Sequence, residues 1–397
     1  MTLTEAQETA LEHATQAKAA ASRNDYQQAS ELYAQAASTG GLDIPLQWKY
    51  RNQQALMLAE FGREFRNNTA LEDAVSLYET TVLELAPLDE RPGDWATTQQ
   101  QLGNVLGLLG QRQRATIMLE RAIKVFENLL AARTREQAPL EWAATLDNYG
   151  NVLGILGQRQ GDTEMLEKSV AAFESALEVR AREDVPMDWA ATQNNLGTAL
   201  QVLGQRQKDP KLLKKSVDAY KNVLQEWTRE RVPMNWATTF NNLGSVLRLL
   251  GETRKGPRTL EQSVAAFQNA LAERTRERVP QDWAMTQNNL GAALQSLGKR
   301  QQDPQLLEQA VAAFESALQE ITREKLAMGW AMSLANLGAV RMILADMTKN
   351  ADVALMALND FDEVVSYFQE ASHAQYMELA EEQRKKAQTL VKALGAE

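Results

Sequence analysis

No cysteine occurs among the 397 residues. That excludes disulfides, thiolate-held metals and cysteine nucleophiles together. Histidine is almost as scarce: His13 and His373 stand near opposite ends of the chain and form no relay. Nor does the sequence contain GxxxxGK[ST], HExxH or GxSxG, so neither enzyme chemistry nor a cofactor is expected. No apolar run approaches the roughly 20 residues needed to cross a bilayer. The opening MTLTEAQETALEHATQAK lacks the basic start and apolar stretch of a secretory signal. A soluble, cytoplasmic chain without membrane insertion is the expectation. Positive charge is in deficit, with 42 Lys and Arg against 52 Asp and Glu for a net −10. That balance opposes a nucleic-acid backbone and leans toward a basic or neutral partner.

Proline and glycine are also few, at 10 and 21 residues, but their placement is periodic. Seven tryptophans (Trp48, Trp95, Trp142, Trp189, Trp236, Trp283 and Trp330) are each 47 residues apart, with Trp227 off this lattice. Gly103, Gly150, Gly197, Gly244, Gly291 and Gly338 follow the later six by eight positions. Phe126, Phe173, Tyr220, Phe267, Phe314 and Phe361 keep the same period. Three ladders on one period mark stacked units sharing a continuous core.

Each unit reads as two helices. The first opens at a motif such as VPMDW, with Pro186 suited to the first turn and Asp188 complementing the helix dipole. It is expected to close at LLGQR or VLGQR, with Gly110, Gly157, Gly204, Gly251 and Gly298 as C-terminal caps. The second starts sharply at Asp209-Pro210 and Asp303-Pro304, an N-cap acid followed by proline. At 100° per residue, Thr192, Leu196, Ala199, Leu200 and Leu203 share one stripe with Trp189, which predicts a buried face and a core indole. Ala190 and Gly197 beside that stripe permit close helix approach. Asn194 and Asn195 point away from it.

Asn195-Leu196-Gly197 with Ser169 and Phe173, and Asn289-Leu290-Gly291 with Ala310 and Phe314, resemble the tetratricopeptide repeat. The extended TQNNLG form is similar to long bacterial and kinesin-light-chain repeats. The resemblance spans essentially the whole chain and implies an all-α, right-handed solenoid of about eight helix-turn-helix units. Residues 1–40 read as one ordinary repeat, 41–371 as seven 47-residue repeats, and 372–397 as a polar capping helix. Two departures stand out. The unit exceeds the usual 34 residues, and the tryptophan sits seven residues before the leucine. The second unit slips by one residue between its helices, since Tyr78 precedes Phe126 by 48.

Two ladders remain as candidates for function. Asn148, Asn195, Asn242, Asn289 and Asn336 recur at the NLG position, with Asn194, Asn241 and Asn288 preceding three of them. An amide carries donors and an acceptor, so a spaced row suits an extended peptide backbone. The resemblance implies that role for the NLG asparagines. Bonding between neighbouring helices is the equal alternative. Variable exposed positions would set specificity: Asn104 and Asn151 in one row, Gly107, Gly154, Gln201, Arg248 and Gln295 in another. The two glycines invite either a ligand or a neighbouring helix close to the backbone. The second ladder, Arg135, Arg182, Arg229, Arg276 and Arg323, suits ion pairs near helix C-termini better than an acidic ligand. A protein or peptide partner is therefore expected for an interaction scaffold. Self-association into a structural assembly is the alternative.

Overall fold

The computed structural model describes residues 3–395, which contain 17 α-helices and no strand. Two compact units divide the chain, Met1–Asn195 and Leu196–Glu397. The first holds α1 (Glu5–Ala21), α2 (Tyr26–Ala37), α3 (Ile44–Glu64), α4 (Asn68–Leu77), α5 (Pro92–Arg112), α6 (Ile117–Ala132), α7 (Pro139–Gln160) and α8 (Thr163–Leu177). The division falls within α9 (Pro186–Gln207). The second unit continues with α10 (Pro210–Val223), α11 (Pro233–Glu252), α12 (Arg258–Leu271), α13 (Pro280–Gln301), α14 (Pro304–Leu318), α15 (Arg323–Thr348), α16 (Ala351–Glu370) and α17 (Ala374–Ala393). Consecutive helices pair as hairpins: α1 with α2, α3 with α4, α5 with α6 and α7 with α8 in one unit. In the other, α11 pairs with α12, α13 with α14 and α15 with α16, while α17 packs on α16.

Proline opens α5, α7, α9, α11 and α13, where its missing N–H costs no helical bond. The second helices begin on side-chain caps. Asp209 accepts from the Lys211 N–H at 2.8 Å and Asp303 from the Gln305 N–H at 2.9 Å. Asp162 and Asn350 do the same for α8 and α16. The predicted stripe is buried: Thr192 is 0% exposed, and Leu196, Ala199, Leu200 and Leu203 lie below 9%.

The glycine and aromatic ladders prove to be one device. A Cβ on Gly103 would stand 2.6 Å from the Phe126 ring, and one on Gly244 would stand 2.8 Å from Phe267. The rings themselves are fully buried. Glycine therefore lets the first helix rest directly on the aromatic face of its partner. Beside this contact, the Ser169, Ser216 and Ser263 hydroxyls donate to the Gly150, Gly197 and Gly244 carbonyls at 2.6–2.7 Å.

The second glycine ladder does not cap. Gly110, Gly157, Gly204, Gly251 and Gly298 lie within their helices, where a Cβ would meet Leu119, Met165, Leu213, Leu260 and Leu307 at 2.7–3.0 Å. Close packing selects glycine there, and the left-handed caps fall several residues later. α7 ends on Gly161 at φ 69°, but α13 ends on Gln302 at φ 53° and α15 on Lys349 at φ 55°.

The slipped unit keeps its register through a π-helical turn, Tyr78–Val82. Tyr78 follows Trp48 by one residue fewer than Phe126 follows Trp95, and Trp95 follows Tyr78 by one more than Trp142 follows Phe126. The wide turn absorbs the residue that the preceding loop lacks.

One helix departs from the expectation of no membrane-length apolar run. Arg323–Thr348 is long and apolar enough to cross a bilayer by length and composition. Its Ala331, Leu334, Leu337, Val340 and Leu344 are nevertheless buried in the core of the second unit.

Candidate functional site

The tryptophan ladder is half-buried instead of enclosed. One face of most of these rings is turned to a cation. Arg135, Arg182, Arg229, Arg276 and Arg323 lie over Trp142, Trp189, Trp236, Trp283 and Trp330 at 5.4–5.9 Å. The same guanidiniums reach forward to acids of the following hairpin. Arg135 meets Glu178 at 2.8 Å, Arg229 meets Glu273 at 2.6 Å and Arg276 meets Glu320 at 2.8 Å. Arg229, then Arg278, hold the Glu273 carboxyl below the usual carboxylate range. The arginine row thus has indole and carboxylate partners within the fold.

A further arginine ladder escaped the sequence reading, although its signal, the recurring GQR, was visible there. Arg112 donates to the carbonyls of Gly62 at 2.8 Å and Arg63 at 3.0 Å. Arg159 does the same to Gly110, Gln111 and Gln113 at 2.7–2.8 Å, and Arg300 reaches the Arg254 carbonyl. Each guanidinium satisfies carbonyls at the C-terminal end of the preceding repeat's first helix. This is the task the sequence reading had assigned to glycine.

Two buried acids are each held by an arginine. Arg180 Nη1 lies 2.6 Å from Asp147 Oδ2 and 2.7 Å from Thr192 Oγ1, with both charged residues under 9% exposed. Burial pushes the Asp147 carboxyl up, against the pull of Arg180, Thr192 and Asn195. In the second unit Arg341 Nη1 holds both oxygens of Asp360, at 2.7 and 2.8 Å. Burial still pushes that carboxyl up to about 6 from 3.8.

The folded state therefore takes up the Asp360 proton more readily than the unfolded chain does. Its contribution to stability is full below about pH 4 and is lost as pH rises through about 6, a change on the order of 2–3 kcal/mol. Asp360→Asn should lack this slope. Urea denaturation at pH 4 and pH 7 should show the variant gaining on the parent as pH rises. A constant difference between the two proteins would refute the assignment.

The asparagines expected to face away from the core are largely tied to neighbouring repeats. Asn289 Nδ2 donates to Asn241 Oδ1 at 3.1 Å, and Asn241 donates to Asn242 Oδ1 at 3.4 Å. Asn195 bonds to Asp147. Asn241 is only 6% exposed, while Asn194, Asn195, Asn242, Asn288, Asn289 and Asn336 are half-buried. The physical reason is a second neighbour. A first helix packs on its own partner and also on the first helix of the next repeat, as α5 does on α7 and α11 on α13. One helical wheel shows only the first of these contacts.

Three candidates do come together. Asn104, Asn148 and Asn151 line a notch of about 280 Å³ on α5 and α7, along with Gly107, Leu108 and Ile155. Asn148 Nδ2 and Gln100 Nε2 both donate to Asn104 Oδ1, at 2.9 and 3.1 Å. Asn104 is exposed and Asn151 half-buried. An amide has two donors and an acceptor oxygen, so these two bonds engage the Asn104 oxygen but leave its donors and the Asn148 oxygen for a ligand. Gly107 is explained by a helix: its Cβ would meet Val152 Cγ2 at 3.2 Å, and that of Gly154 would meet Ser169 Oγ at 3.1 Å. Gln201, Arg248 and Gln295 lie half-buried elsewhere, and Arg248 pairs with Glu252 at 2.6 Å. Among the described residues no cluster of three or more His, Asp or Glu could hold a metal.

The sequence profile described as tetratricopeptide repeat matches residues 95–133, 189–226 and 283–320. Those three segments are tetratricopeptide repeats. No curated protein matches it in sequence. Among solved structures, the apo form of RapI is similar at 13% identity over 97% of this chain and 98% of that one, with a TM-score of 0.53. The apo quorum sensor NprR from B. thuringiensis is 13% identical over 97% and 99%, at 0.49. A Rap protein complexed with competence and sporulation factor is 11% identical over 98% and 99%, also at 0.49. The RapI likeness shows a shared fold.

Proposed function

We propose that this tetratricopeptide-repeat chain is a protein-interaction scaffold and that the notch on α5 and α7 receives an extended segment of a partner. The supporting observation is the convergence there of Asn104, Asn148 and Asn151 beside the apolar Leu108 and Ile155. Amides bond a backbone whatever its side chains, and the apolar wall takes an adjacent side chain. Asn241 and Asn289 instead hold repeats in register, so they are left out of the contact set. Recognition by a preformed surface needs no chemistry from the protein.

Partners recovered by the parent should be lost by an Asn104→Ala, Asn148→Ala, Asn151→Ala variant that keeps its circular-dichroism helix signal. Three amide bonds at about 1 kcal/mol each predict roughly 100-fold weaker binding. Unchanged affinity of a purified partner, measured by calorimetry, would overturn the assignment of this notch.

A further inference from the structure

The buried Arg180 occupies a position nine residues before a ladder tryptophan, and Arg274 stands at the same position two hairpins further along, with Trp227 at the position between them. Arg180 bonds Asp147, five residues after the preceding tryptophan, and Thr192, three residues after its own. Arg274 bonds Thr286 at 3.1 Å and Thr238 at 2.9 Å. At the next occurrence the position holds Ile321, 8% exposed and packed against Ala284, Ala317, Trp283 and Trp330. The acceptor that corresponds to Asp147 is Asn288, and its buried Oδ1 has no hydrogen-bond partner among the described residues. Ser333 stands where Thr192 does.

Asn288, Ile321 and Ser333 line a notch of about 580 Å³ in the second unit, walled by Met285, Met328 and Met332. Met285 and Met332 are 45% and 48% exposed, at a position where earlier repeats carry Thr97, Ala144, Ala191 and Thr238. Asp282 is the one charged side chain among the described residues lining it, and it also faces the buried Arg274.

We infer that this notch takes an arginine side chain from a partner protein, supplying in trans the guanidinium that Arg180 supplies in cis. The planar donor fork suits the Asn288 and Ser333 oxygens, the Asp282 carboxylate complements its charge, and the flexible methionines accept its methylene stem. An unpaired buried acceptor is costly, so a donor delivered there gains more than an exposed bond would. The inference rests on the reading of the chain as a binding scaffold and assigns a second contact, remote in sequence from Asn104.

The full-length protein with 13C-labelled methionine methyls would be titrated with n-butylguanidinium and, separately, with the neutral n-butylurea. Saturable shifts of the Met285 and Met332 methyls are expected, with the guanidinium binding at least about 10-fold more tightly, as one charge-assisted bond predicts. Asn288→Leu should weaken that preference, leaving only what the Asp282 carboxylate contributes, and Ile321→Arg, which fills the position in cis, should abolish the shifts. Equal binding of the two probes, or a preference that Asn288→Leu leaves unchanged, would overturn the inference. The Asn104, Asn148, Asn151 variant should retain the methionine shifts, so failure of the first notch and failure of this one are read separately.

Discussion

Phe267→Ala is expected to cost about 3–5 kcal/mol, because the ring is fully buried between the helices of one hairpin. The more informative experiment changes its neighbour. Gly244→Ala raises helix propensity by about 1 kcal/mol. It also places a methyl 2.8 Å from the ring, an overpacking cost of about 1–3 kcal/mol. The net effect should be destabilising despite the better helix former. Combining Gly244→Ala with Phe267→Leu should recover part of the loss, because the smaller side chain makes room for the new methyl. Chemical denaturation of the two singles and the double forms a cycle. Strict additivity would mean that glycine and ring do not meet as described.

That pair also marks how far the sequence could be read. Period, hairpin pairing, proline starts and aspartate caps follow from local rules, since each needs only residues a few positions apart. Gly110 and its equivalents were misread because glycine serves two purposes near a helix end. The distinction between a left-handed cap and a close approach to Leu119 requires knowing where the second helix lies. The tryptophans share the buried stripe of the wheel, yet they are half-buried, with an arginine seven residues earlier folding back over each of five rings.

The asparagines illustrate a more general limit. A wheel describes one helix against one partner, whereas Asn289 meets Asn241 only because consecutive first helices touch. The gathering of Asn104, Asn148 and Asn151 had the same origin and was equally hidden, because Asn148 belongs to a different row from Asn104 and Asn151 and meets them only across the α5–α7 contact. By contrast, the equivalence of Arg180, Trp227, Arg274 and Ile321, each nine residues before a tryptophan, is plain in the sequence. Its meaning emerged only once Arg180 was seen to satisfy a specific acceptor.

Arg180→Met should be among the most damaging single changes, at about 3–5 kcal/mol, because it strands the buried Asp147 carboxylate without its cation. The loss should depend on pH in a definite direction. Burial already raises the Asp147 pKa, and removing the guanidinium raises it further. A raised acid holds its proton more tightly when folded, so its stabilising contribution is present in acid and lost as pH rises through the folded-state value. The variant should therefore be closest to the parent at low pH and farthest from it at neutral pH. Adding Asp147→Asn should restore much of the stability and flatten this dependence, since asparagine stands at the corresponding position as Asn194, Asn241 and Asn288. Urea unfolding of the parent and both variants at pH 4 and pH 7.5 checks all three statements. If the double variant proves no more stable than Arg180→Met, the cost came from lost arginine packing and not from the stranded charge.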